Sequence, residues 1–152
     1  MKKTIELGLG IGENLRFGAR FEDVKKILGE PDEIENSQVP SADGEESGDT
    51  VAWIYDRLGV TLYFDEEDEW TLGTIEIDDD EFELCGEKLV GKKIDEAKTI
   101  LQKIKIDDIS EEEIEPQECE DDVSLRLLFS QEKHLNVWFE DGICCEIQWS
   151  AI

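Results

Sequence analysis

The chain has 152 residues, 41 of them acidic, 15 basic and one histidine, for a formal net charge of −26. Its length suits one ordinary domain, and 39% hydrophobic residues is enough to build a core, which excludes disorder throughout. Charge of this sign and size disfavours nucleic acid and anionic membranes as partners and favours a basic protein.

The first residues, MKKTIELGLGIGENLRFG, lack a continuous apolar run and a small-residue cleavage site, so no signal peptide is expected. No apolar run reaches membrane-spanning length. GLGIGEN at 8–14 lacks the glycine spacing and following helix of a dinucleotide site and reads as a flexible lead-in.

FEDVKKIL at 21–28 places Phe21, Val24, Ile27 and Leu28 on one stripe of a short helix, which Gly29 and Pro31 stop. Residues 33–49, rich in acids, Ser, Gly and Pro, read as a long loop. VAWIYD at 51–56, GVTLYFD at 59–65 and WTLGTIEID at 70–78 then predict a three-stranded antiparallel meander. A second helix is predicted at 94–104, with acids early and lysines late, followed by an acidic loop over 107–122. VSLRLLFS at 123–130, HLNVWFE at 134–140 and GICCEIQWS at 142–150 form a second set of strands, with Asp141-Gly142 a tight-turn signal.

Helix, loop and strands thus occur twice in the same order. The expected fold is α+β: two tandem repeats, residues 1–84 and 85–152, each a short helical segment packed on a three- to four-stranded antiparallel sheet. FGARFEDVKKILGEPD at 17–32, followed by WIYDRLGVTLYF at 53–64 and LGTIEI at 72–77, resembles repeats of the β-lactamase-inhibitory-protein-like superfamily. That resemblance implies helical segments on an antiparallel sheet, used in tandem as binding modules. It does not carry over β-lactamase inhibition, because the cysteines here are not arranged for disulfides.

Strand alternation assigns Val51, Trp53, Tyr55, Val60, Leu62, Phe64, Ile75 and Ile77 to a core face under the first helix. Leu125, Leu127, Phe129, Leu135, Val137, Phe139, Ile147 and Trp149 are assigned to the same face under the second. The opposite face takes Ile54, Thr61, Tyr63, Thr74 and Glu76, then Arg126, Leu128, Asn136, Trp138, Cys144, Glu146 and Gln148. This mixture fits a protein-binding surface, and it equally fits a junction between the two units. Tyr63 and Trp138 are the candidate anchors. The candidate acidic rim is Asp65, Glu66, Glu67, Asp68 and Glu69, beside Trp70, with Asp78, Asp79, Asp80 and Glu81 in the segment joining the units.

Little points to catalysis or a cofactor. Cys85, Cys119, Cys144 and Cys145 have no CxxC spacing and read as reduced thiols of a cytoplasmic protein, and His134 alone cannot supply a zinc site. The Asp78-Asp79-Asp80 run lacks the remaining positions of an EF-hand loop, so no metal is expected there. Cys144 or Cys145 as a nucleophile would need His134 brought to it across a hairpin. The expected function is therefore a non-enzymatic module that neutralises a basic partner, most concretely an immunity protein against a nuclease-type toxin. The other reading is a stand-alone domain whose acids form a solvated coat.

Overall fold

The structure is a computed structural model and describes residues 3–40, 46–114 and 124–151. In chain order the first elements are β1 (Thr4–Glu6), β2 (Gly10–Ile11), β3 (Leu15–Arg16), α1 (Phe21–Leu28), β4 (Glu33–Pro40), β5 (Glu46–Tyr55), β6 (Val60–Asp65) and β7 (Thr71–Ile77). They are followed by β8 (Glu83–Leu84), β9 (Glu87–Lys88), α2 (Ile94–Lys103), β10 (Ile109–Ile114), β11 (Leu125–Ser130), β12 (Leu135–Glu140) and β13 (Ile143–Ser150).

The expected α+β pair of helix-on-sheet repeats is corrected. Among the described residues the chain is mostly β, with thirteen strands in two sheets and two short helices. Eight strands form one sheet in the order β10-β11-β12-β13-β7-β6-β5-β4, every neighbour antiparallel. The two strand groups join edge to edge where Ile147 pairs with Ile77 and Trp149 with Ile75. The other five strands form a small sheet, β3-β2-β1-β8-β9, which crosses the division expected at residue 84 through the β8–β9 pair.

One core lies between the inner face of the large sheet and a layer made of the helices and the small sheet. Leu62, Phe64, Ile75, Ile77, Val137, Phe139, Ile147 and Trp149 are buried from the large sheet. Val24 comes from α1, Ala97 and Leu101 from α2, and Ile5, Ile11, Leu15 and Leu84 from the small sheet. Phe21 fixes α1 by stacking on Trp53 at a centroid distance of 4.8 Å and tilting against Phe64 at 4.5 Å. Across the core, Trp149 Nε1 donates to the Gly10 carbonyl at 3.2 Å.

The LGEPD segment at 28–32 is structural punctuation. Gly29 ends α1 at a φ of 82°, and the Tyr55 hydroxyl donates to its carbonyl at 2.9 Å. Asp32 then accepts the Arg57 backbone N–H at 3.2 Å, which holds the helix exit against the β5–β6 turn.

Local readings fare unevenly. The α1 stripe and the Asp141-Gly142 turn form as expected, with both turn residues at positive φ. The loop expected over 33–49 is corrected where it is described, since Glu33–Pro40 is β4 and Glu46 begins β5, and Ile109–Ile114 in the second expected loop is also a strand. The acids at 115 and 118–122, with Cys119, lie outside the described residues. GLGIGEN is not a flexible lead-in, because Ile11 is 1% exposed and Gly10 pairs with Arg16 in the small sheet.

The face assignment of β11 is inverted. Leu128 pairs with Val137 and Arg126 with Phe139 on the core side, whereas Leu125, Leu127 and Phe129 pair with Glu140, Trp138 and Asn136 on the other. Cys144 also belongs to the core: a bulge on β13 pairs Cys144 with Phe139 while Trp138 pairs with Glu146, so alternation is shifted there.

Candidate functional site

Among the described residues both helices and the small sheet pack on one side of the large sheet, leaving its other face without a covering element. Because the halves join through β13 and β7, this face is continuous and is not a junction between stacked units. One row of directly opposed side chains crosses most of it: Phe129, Asn136, Gln148, Glu76, Thr61, Ile54 and Glu33. The neighbouring row on one side is Ser150, Thr74, Tyr63, Ala52 and Glu35. On the other side Leu127, Trp138 and Glu146 form a shorter row.

Tyr63 and Trp138 share the face without being neighbours. Three strand spacings and four residues of rise separate their positions, about 20 Å. Trp138 stands beside Leu127, at an apolar end completed by Leu125 and Phe129, all three half-buried. Tyr63 stands in the polar middle and donates to Glu76 Oε2 at 2.8 Å. Burial raises the Glu76 carboxyl above its ordinary 4.5, partly offset by the Tyr63 bond. Burial and the same hydrogen bond hold the Tyr63 phenol well above its ordinary 10. Leu125, Leu127 and Phe129 were missed as surface residues because LRLLF puts three apolar side chains on one side and Arg126 with Leu128 on the other, so alternation pointed the more apolar side to the core.

The acids fall at opposite ends of β7. Asp65 ends β6, and Glu66, Glu67, Asp68 and Glu69 occupy the β6–β7 connection, with a single 3-10 turn at Glu66–Asp68. Asp65 accepts the Thr50 hydroxyl at 2.6 Å, and Glu66 accepts the Asp49 backbone N–H at 3.0 Å. Glu67, Asp68 and Glu69 are exposed. Trp70 is turned to the helix side, its ring centroid 6.3 Å from that of Phe21 and packed against the core.

At the far end Asp78 and Asp80 are exposed, while Asp79 and Glu81 both receive the Lys3 ammonium, at 2.8 and 2.9 Å. The Lys3 bond holds the Asp79 carboxyl below its ordinary 3.8. The two clusters therefore border the open face from two ends about 20 Å apart, and part of the second is neutralised by the chain itself.

A family model described as a domain of unknown function (DUF7738) matches residues 11–73. The match runs from β2 into β7 and takes in α1, its LGEPD exit and Tyr63. No curated protein and no solved structure matches the chain.

The thiols are kept apart from the histidine. Cys144 lies next to the Asp141-Gly142 turn, whereas the His134 carbonyl accepts the Ser150 N–H at the other end of the β12–β13 hairpin. Burial pushes the Cys144 thiol up to about 12, and burial with the nearby Glu140 charge also raises Cys145. Among the described residues no group of three or more His, Cys, Asp or Glu side chains is placed to hold a metal ion. No helix of the described residues is long and apolar enough to cross a membrane.

Proposed function

We propose that the chain is a non-enzymatic, cytoplasmic protein-binding module that neutralises a basic partner through the open face of its large sheet. One observation carries this reading. Glu33, Glu35, Glu76, Glu112, Glu140 and Glu146 all project to that face by register, and no described strand residue on it is Lys or Arg. Aromatic and leucine side chains stand among these carboxylates. Such a surface combines long-range attraction for cations with dehydratable anchors at Trp138 and Leu127.

Nuclease-type toxins fit this surface in charge, since a protein that grips phosphates is basic around its site and an acidic face can occupy that site. An immunity protein is the most concrete form of the reading. The experiment is a nuclease-protection assay at low and high salt, with whichever product of a neighbouring open reading frame is a basic nuclease. Stoichiometric protection that weakens with salt supports the reading. Absence of protection at low salt sinks it.

A further inference from the structure

The large sheet ends at β4, whose outer edge pairs with no described strand. Exposed edges are commonly blunted by lysine, proline, a bulge or a covering element. A register shift between Gln38 and Pro40 does this at the far end of β4. Among the described residues nothing of the kind guards 33–36.

The backbone groups this edge presents follow from the ladder. The Asp78 N–H donates to the Gly59 carbonyl at 3.0 Å, and the Asp32 N–H to the Ile54 carbonyl at 2.8 Å. In antiparallel strands the bonded side alternates residue by residue. Thr61 and Tyr63 therefore bond toward β7, Val60 and Leu62 toward β5, and Ala52 and Ile54 toward β4. Glu33 and Glu35 stand opposite Ile54 and Ala52, which leaves Ile34 and Asn36 with N–H and C=O groups turned to the outer edge.

The side chains on this edge are equally ordered. Ile34 and Asn36 lie on the helix side, and Ile34 is 52% exposed, a large apolar side chain beside an open backbone edge. Glu33 and Glu35 lie on the open face, exposed and without an ion pair among the described residues. The opposite edge differs. On β10, Glu111 already receives Lys98 at 3.0 Å and Arg126 at 3.6 Å, and Ile109 packs against the core.

We infer that the 33–36 edge of β4 takes up, antiparallel, an extended segment of a partner protein in which Lys or Arg alternates with apolar residues. The backbone edge selects an extended chain. Its alternation selects the pattern: cations opposite Glu33 and Glu35 on one face, apolar side chains over Ile34 on the other. A second copy of this chain is disfavoured, because β4 against β4 sets Glu33 opposite Glu35. The site draws on the reading above only in taking the partner to be basic. Trp138 and Leu127 lie at the other end of the sheet, so the open-face reading stands or falls separately in the protection assay.

The test is an NMR titration of the full ¹⁵N-labelled chain with a short capped peptide in which lysine and valine alternate. The Ile34 and Asn36 amide signals should shift saturably and exchange hydrogen more slowly, with β10 unaffected. The same peptide methylated on its valine amide nitrogens keeps every charge and should not bind, and neither should one with glutamate in place of lysine. Asn36→Pro removes an outward N–H that pairing with β5 does not use, and should weaken binding at least about fivefold, as loss of one hydrogen bond does. Glu33→Gln combined with Glu35→Gln should weaken it at least about threefold. No saturable shift at β4, equal binding of the methylated peptide, or wild-type affinity in a folded Asn36→Pro protein would each overturn the assignment.

Discussion

The Tyr63 hydroxyl donates to Glu76 Oε2 over 2.8 Å between adjacent strands, in the middle of a sheet face that no described helix covers. Glu76 is partly desolvated there and its carboxyl is raised, so folding favours the protonated form. The stability tied to Glu76 is therefore complete below its ordinary 4.5 and is lost as pH rises through the higher folded value. Glu76→Gln should stabilise the protein at neutral pH by less than about 1 kcal/mol, given the screening of a half-exposed group. The gain should vanish in acid. Tyr63→Phe should cost about 1 kcal/mol at neutral pH, because the carboxylate loses its donor. Denaturant unfolding at pH 4 and pH 7 checks both.

Lys3 bridges Asp79 and Glu81 and ties the first strand of the small sheet to the segment after β7. Asp79 is depressed below its ordinary 3.8, so its contribution is present above that value and is lost as pH falls through the folded one. Lys3 is raised above 10.5, chiefly by Asp79, so its share is lost only as pH rises past the folded value. Lys3→Met should lower stability by less than about 1 kcal/mol at neutral pH, and by less in high salt. Hydrogen exchange should quicken at the Glu83 amide, which donates to the Lys3 carbonyl at 3.0 Å.

Gly10 has a φ of 146°, and a Cβ there would stand 2.0 Å from the Leu15 carbonyl oxygen. Neither the dihedral nor the backbone contact can relax without opening the β2–β3 pair. Gly10→Ala should cost more than about 3 kcal/mol, above the usual price of backbone strain alone. Unfolding of a purified Gly10→Ala protein at the wild-type midpoint would show that the small sheet tolerates the change.

The cysteines should react in order of access. Cys85 is exposed, Cys145 half-buried and Cys144 buried. Among these three, native alkylation at neutral pH should modify Cys85 first and leave Cys144 untouched until denaturant is added. Mass mapping of the alkylated peptides reads this directly.

Much of the strand and helix content was legible because burial is one-sided. VTLYF and LNVWF alternate cleanly, and their Val60, Leu62, Leu135 and Val137 lie in the core where alternation puts them. The outer strands β4 and β10 were not legible. They lie at the sheet's edges, so sequences such as EIENS and ISEEE need no apolar face to pair. The architecture also escaped local pattern, since nothing in either strand group announces that Ile147 will pair with Ile77 and merge two predicted sheets into one.

At the candidate face, Tyr63 and Trp138 were legible as sharing a side, but their separation depends on that merger. Trp70 looked like a surface anchor beside acids and instead joins the Phe21 cluster, because the chain reverses through positive φ at Glu69 and Trp70.

The most direct test of the central claim is calorimetric titration of the product of the neighbouring open reading frame, where that product is a basic protein, into wild type and into a Trp138→Ala, Glu76→Lys, Glu146→Lys variant, at low and high salt. The account predicts tight wild-type binding that weakens with salt, and a folded variant whose affinity falls at least about thirtyfold, as loss of a central anchor together with charge reversal requires. Equal affinity of variant and wild type, or no binding at low salt, would contradict it.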